Sequence, residues 1–133
     1  MLLAGKTAAI SGAASARGIG LATARLFAEH GAKVAILDLD EAGAQRAAKE
    51  LGDGHIGLHC DVADLESCKR AAQGAIEAFG HVDVLVNNAG YGLRGAVESW
   101  SMDQLRRLFD TNVFGVVELT RAVLPHMRDA GSG

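Results

Sequence analysis

The chain has 133 residues, of which 49% are apolar, with a single proline and a formal net charge of −3. That suffices for one domain with its own core, and neither the charge nor its distribution offers a basic surface for nucleic acid. No apolar run reaches the ~20 residues of a membrane-spanning helix, and the opening "MLLAGK" is too short for a signal-peptide apolar region, so a cytoplasmic protein with no membrane or nucleic-acid partner is expected.

In chain order, "TAAI" (Thr7–Ile10) is short, apolar and stopped by Ser-Gly, as a buried strand is. The glycine loop "SGAASARGIG" follows. Ile19, Ala22, Leu26 and Phe27 then recur at helical spacing up to His30, with Gly31 as terminator. "KVAILD" (Lys33–Asp38) reads as a second buried strand, and "DEAGAQRAAKELG" as a helix with Asp40 as N-cap and Gly52 beyond its end. "HIGLHCD" gives a third strand, Asp64 caps a helix running to about Phe79, and "VDVLVN" is a fourth strand entering "NAG". Ser101 and Gln104 form a capping box for a last helix from about Met102 to Met127, with Pro125 disturbing only its final turn. On that helix Leu105, Leu108, Asn112, Val116, Leu119 and Val123 trace one face, and Phe109, Val113, Val117 and Leu124 another.

Strands alternating with helices across short connections imply an α/β fold: a doubly wound parallel sheet, helices on both faces, in a single domain spanning 1–133. Cys60 and Cys68 form no Cys-x-x-Cys pair, and the five histidines are scattered. The cysteines are therefore read as buried structural residues, and no metal site is expected.

A glycine loop between first strand and first helix lets backbone approach a pyrophosphate, which rests on the positive end of the helix. Gly18, Ile19 and Gly20 are placed for that contact. Asp38 ends the second strand 18 residues after Gly20, where a carboxylate accepts from the adenosine ribose hydroxyls. A 2′-phosphate ~4 Å from that carboxylate would be repelled by about 4 kcal/mol per unit charge at an effective dielectric near 20, before screening. NAD is therefore expected over NADP. Arg17 is the counterargument, since a guanidinium in the loop can pair with that phosphate. Asp61 and Val62 end the third strand, where a carboxylate can accept from the adenine amino group. "NNAG" (Asn87–Gly90) ends the fourth, where small residues admit a nucleoside and asparagine can tie strand ends together.

Through "SGAASARGIG", "LDLD", "CDVAD", "NNAG" and "TNVFG", in that order and spacing, the sequence resembles the short-chain dehydrogenase/reductase family from Leu3 to its last residue. The resemblance implies a Rossmann-type sheet in the order 3-2-1-4 and NAD-dependent interconversion of an alcohol and a ketone. It places Gly12, Gly18, Ile19 and Gly20 on the pyrophosphate, Asp38 as the selector of NAD, and Asp61 and Val62 on adenine. Asn88, Ala89 and Gly90 flank the ribose and nicotinamide side. Asn112 corresponds to the family's helix asparagine, which supports a water in its proton relay.

Two departures stand out. Five residues separate Gly12 from Gly18, where the family usually has three, although some members have longer loops. The family's Tyr-x-x-x-Lys pair and upstream serine are not found: the single tyrosine, Tyr91, is followed four positions on by Gly95, and no lysine follows Lys69. The sequence is therefore expected to be the coenzyme-binding front portion of such an enzyme, incomplete at its C-terminal end, which binds without catalysing. A non-catalytic module that binds dinucleotide or pairs with another subunit is the alternative. A methyltransferase of related fold is a third reading, against which "NNAG" and "TNVFG" argue. A homo-oligomer is expected through the second apolar face of the last helix, unless more of the same chain covers it. Tyr91, Leu93 and Trp100 suggest a small hydrophobic substrate or simply loop packing.

Overall fold

Five buried residues, Thr7–Ser11, form β1 at the centre of a computed structural model that describes residues 1–133. β2 (Lys33–Asp38), β3 (Ile56–His59) and β4 (Val84–Val86) complete a parallel sheet in the order β3-β2-β1-β4. β1 runs from Thr7 opposite Lys33 to Ser11 opposite Leu37, and on its other side from Ala8 opposite Val84 to Ile10 opposite Val86. This is the Rossmann-type order that the family resemblance implied.

Side chains alternate along a strand, so Ile10, Val34 and Ile36 face one way and Ala9, Ala35 and Leu37 the other. The first set packs under α1 (Ile19–Glu29) and α2 (Glu41–Leu51) with Leu21, Ala24, Ala44, Ala47 and Ala48. The second packs under α3 (Leu65–Phe79) and, beyond the short α4 (Met102–Phe109), under α5 (Gly115–Ala130), with Cys68, Ala71, Ala72, Ala75, Leu119 and Val123. Alanine dominates the helix side of both layers, so the helices lie close to the sheet. A Cβ on Gly57 in β3 would run into the backbone carbonyl of Ala44. No helix is long and apolar enough to cross a membrane.

Strand ends differ from the sequence reading where side chains replace backbone partners. β3 opens at Ile56 because His55 turns its Nδ1 to accept from Val34 N–H at 3.1 Å, and burial lowers its pKa. At the start of β4, Asp83 folds its carboxylate back onto the start of β1. It accepts from the Thr7 N–H (2.8 Å) and hydroxyl (3.2 Å) and pairs with His81 Nε2 (3.1 Å) and Lys6 Nζ (3.6 Å). Burial pushes that carboxyl up, but the Thr7 N–H, His81, the Thr7 hydroxyl and Lys6 outweigh it and hold Asp83 below its ordinary value.

The last helix is the main correction. It does not run regularly from Met102 to Met127: α4 stops at Phe109, a π-helical turn spans Asp110–Phe114, and α5 continues to Ala130, past Pro125. A π turn carries an extra residue, which resets the helical phase. The reset serves two contacts at once. Asn112 reaches the backbone of Tyr91, while Gly115 sits against Val62, where a Cβ would be 2.8 Å from Val62 Cγ2. Leu119 and Val123 are buried as expected, and Phe109, Val113, Val117 and Leu124 form an exposed apolar face.

Candidate functional site

From β1 the chain builds outward through β2 to β3, then crosses back to lay β4 on the other side of β1. The loops after β1 and β4 thus diverge at the carboxyl edge of the sheet, which is where open α/β sheets form their binding crevice. A cleft of about 490 Å³ lies there.

One wall is the glycine loop. Gly12 has φ 65°, and a Cβ on it would lie 2.7 Å from Ala89 Cα, so both conformation and space require glycine. Gly20 is buried and does not line the cleft. A Cβ there would meet Asn88 Nδ2 at 2.5 Å and Ala13 at 3.0 Å, which makes it a packing glycine between α1 and the strand ends. Gly18 and Ile19 do line the cleft at the start of α1. Asp40, Asp64 and Ser101 cap α2, α3 and α4 by accepting from Gly43, Glu66 and Gln104 N–H. No side chain caps α1, and its first turn carries no acidic residue. Its leading N–H groups and the positive end of its dipole are left to whatever enters the cleft.

The floor is a clasp between the ends of β1 and β4. The hydroxyl of Ser11, which is buried, accepts from Asn88 N–H (3.1 Å) and Ala89 N–H (3.0 Å) and donates to Val86 carbonyl (3.5 Å). Asn88 Nδ2 returns the contact, donating to the carbonyls of Ser11 and Gly12, each at 3.0 Å. Asparagine thus ties the strand ends together, and Ala89 and Gly90 stand at the cleft with no bulk between them and the glycine loop.

The other wall carries two carboxylates. Asp38 Oδ1 accepts from Asp40 N–H and Oδ2 from Ala14 N–H, each at 3.0 Å. Asp40, not Asp38, caps α2. Asp61 Oδ1 accepts from Ala63 N–H at 3.0 Å, while Ser67 Oγ takes the Asp61 N–H at 2.8 Å. Each carboxylate keeps lone pairs free for a ligand. Leu39 and Val62 supply apolar surface beside them. His59 Nδ1 lies 3.1 Å from the Leu39 carbonyl and, as the N–H tautomer, donates to it. Cys60 lies between the two carboxylates in sequence and also lines the cleft. The neighbouring Cys68, burial and the charges of Asp61 and Asp38 push its thiol up, so it presents a neutral surface, while the Cys68 thiol donates to the Asp61 and Val62 carbonyls. Both cysteines are buried and free, as structural residues are.

At the open end, Asn112 in the π turn clasps Tyr91. Its Oδ1 accepts from Tyr91 N–H (3.1 Å) and its Nδ2 donates to Tyr91 carbonyl (2.6 Å). Tyr91 lines the cleft, whereas Leu93 and Trp100 do not; Trp100 Nε1 bonds the Arg94 carbonyl at 3.4 Å within its own loop.

Of the residues marked from sequence, Gly12, Gly18, Ile19, Asp38, Asp61, Val62, Asn88, Ala89 and Gly90 line this one cleft. Gly20 and Asn112 support its walls without lining it. Arg17 is exposed and makes no ion pair within the chain. Sequence reasoning missed Leu39, Cys60 and Thr111, which also line the cleft. Each is the immediate neighbour of a residue that was found.

The family model described as short chain dehydrogenase matches residues 6–133. An uncharacterized short-chain type dehydrogenase/reductase, y4mP, of Sinorhizobium fredii is 48% identical over 100% of this chain and 54% of its own length. The D-threitol dehydrogenase of Mycolicibacterium smegmatis is 39% identical over 98% of this chain and 51% of its own. Among solved structures, the 3-ketoacyl-(acyl-carrier-protein) reductase of Brucella melitensis complexed with NADH superposes with a TM-score of 0.92 at 41% identity, over 97% of this chain and 53% of that one. The chain spans about half the length of the relatives it matches.

Proposed function

The chain belongs to the short-chain dehydrogenase family, and on that premise we propose that its cleft binds a nicotinamide dinucleotide, NAD in preference to NADP, as the coenzyme half of an alcohol–ketone oxidoreductase. The observation that carries this reading is the uncapped start of α1 opening onto a cleft whose far wall holds Asp38 and Asp61. That is an anion site at one end and hydroxyl and amine acceptors at the other, the chemistry a dinucleotide presents. The solved relative that superposes here was crystallised with NADH, which supports the same reading.

In this assignment the pyrophosphate rests on the start of α1 at Ile19, Gly12, Gly18 and Ala89 allow its close approach, and Gly20 packs α1 against the strand ends beneath it. The free lone pairs of Asp38 take the adenosine ribose hydroxyls, Asp61 takes the adenine amino group, and Val62 with Leu39 covers the ring. Asn88, Ala89 and Gly90 flank the nicotinamide ribose. When bound, the nicotinamide supplies or accepts the hydride. Asn112 holds the Tyr91 backbone at that end and is the candidate to orient a water for proton transfer. Substrate class follows relatives such as the D-threitol dehydrogenase, a small alcohol or ketone reaching the cleft beside Tyr91. The exposed apolar face of α4 and α5 is the surface for a homo-oligomer. With no Tyr-x-x-x-Lys pair among them, these 133 residues bind coenzyme without turning it over.

The test is calorimetric titration of the chain with NADH and NADPH in parallel. NADH should saturate, and NADPH should bind at least tenfold more weakly. A tenfold ratio needs about 1.4 kcal/mol, roughly a third of the unscreened repulsion between Asp38 and a 2′-phosphate. Absence of saturable heat with NADH in a folded sample would remove the binding assignment. Equal affinities would assign Arg17, not Asp38, the controlling role.

A further inference from the structure

The loop after β1 is two residues longer than its family usually allows, and the structure holds it in a specific way. Gly12 N–H bonds the Leu37 carbonyl at 2.7 Å, Ala13 is buried in the core, and Ala14 N–H bonds Asp38 Oδ2 at 3.0 Å. Beyond Ala14, Ser15, Ala16 and Arg17 are exposed, and the one bond recorded there is local, from Gly18 N–H to the Ser15 carbonyl at 3.0 Å. The Ala14–Asp38 bond is therefore the last long-range tether before the loop turns into α1. The Asp38 end is braced as well, since Oδ1 accepts from Asp40 N–H and the following Leu39 carbonyl is held by His59.

We propose that Asp38 is a positioning residue for the widened glycine loop: through Ala14 its carboxylate latches the loop's backbone to the end of β2, so that one side chain both recognises the adenosine ribose and orders the pyrophosphate end of the cleft. The ribose part of this rests on the coenzyme reading above; the latch itself does not. A carboxylate has about four acceptor positions. Asp40 and Ala14 occupy one on each oxygen, which leaves one on each for two ribose hydroxyls. The arrangement also ties coenzyme choice to loop order. Any replacement of Asp38 that removes its charge to admit a 2′-phosphate also weakens or removes the acceptor that holds Ala14.

Two measurements on the 133-residue chain test the latch. In ligand-free protein, amide hydrogen exchange at Ala14 should be at least tenfold faster in Asp38→Ala than in wild type, with Ala9 and Ile10 of β1 keeping their protection. Asp38→Asn, whose single oxygen can satisfy only one of the two N–H groups, should be intermediate and serves if the alanine variant fails to fold. Unchanged exchange at Ala14 in both variants overturns the proposal. The second probe is reduced nicotinamide mononucleotide, which has no adenosine ribose to meet Asp38. Under the latch it binds Asp38→Ala at least fivefold more weakly than wild type, and equal affinity limits Asp38 to ribose recognition and overturns the coupling. If wild type binds neither this probe nor NADH, the coenzyme reading fails, and the exchange result alone decides the latch.

Discussion

Replacing Ser11 with alanine should damage this protein more than the loss of one small hydroxyl suggests. All three capacities of that hydroxyl are in use: it accepts from Asn88 N–H and Ala89 N–H and donates to the Val86 carbonyl. Ser11 is only 2% exposed, so water does not replace it. Alanine leaves Ala89 N–H without a partner at about 1–3 kcal/mol, while Asn88 N–H keeps only its bond to the Val86 carbonyl at 3.1 Å. The hydroxyl's own bond to that carbonyl is long at 3.5 Å and adds little. With partial relaxation of the loop after β4, Ser11→Ala should cost about 1–3 kcal/mol. The assay is urea unfolding, where the midpoint should fall at unchanged slope. Because Asn88 closes the same clasp from the other side, the double variant with Asn88→Ala should deviate from additivity by more than about 0.5 kcal/mol. A Ser11→Ala cost below about 0.5 kcal/mol, or simple additivity, would refute the clasp as the joint between β1 and β4.

Gly57→Ala places a methyl group against the Ala44 backbone, which cannot swing aside as a side chain can; equilibrium unfolding should register a loss of about 1–3 kcal/mol, and a neutral result would mean that α2 is free to lift off β3. Asp83 is held below its ordinary pKa, so its contribution is present above about pH 4 and lost as pH falls through the folded value. Asp83→Asn should accordingly cost about 1.5–3 kcal/mol at pH 7, with the gap narrowing below about pH 4; a gap independent of pH would contradict the assignment. Asn112→Ala should release Tyr91, raising amide exchange there severalfold while β1 amides hold, and a change spread over the whole chain would instead point to a general packing role.

Much of this architecture was legible because its signals are local. Asp40, Asp64 and Ser101 cap the helices where their spacing placed them, since a cap needs only its own next few residues. The cleft was legible because its residues sit at strand ends, which a parallel α/β order brings to one edge. What escaped depends on partners far along the chain. The π turn at Asp110–Phe114 answers to Tyr91, 21 residues before Asn112, and to Val62 beneath Gly115, while a hydrophobic periodicity registers only the helix's own phase. Likewise Asp38 reads as a ribose acceptor from its position, but its bond to Ala14 exists only once the loop is folded across it. His55 and Asp83 shorten their strands by the same kind of side-chain substitution, which no strand pattern announces.

A backbone NMR titration of the chain with NADH tests coenzyme binding in this cleft residue by residue. Saturable shifts should gather at Gly12, Gly18–Gly20, Asp38, Asp61, Val62 and Asn88–Gly90, tracing the crevice between the ends of β1 and β4. A folded sample with no saturable shifts, or with shifts confined to the exposed face of α4 and α5, would contradict it.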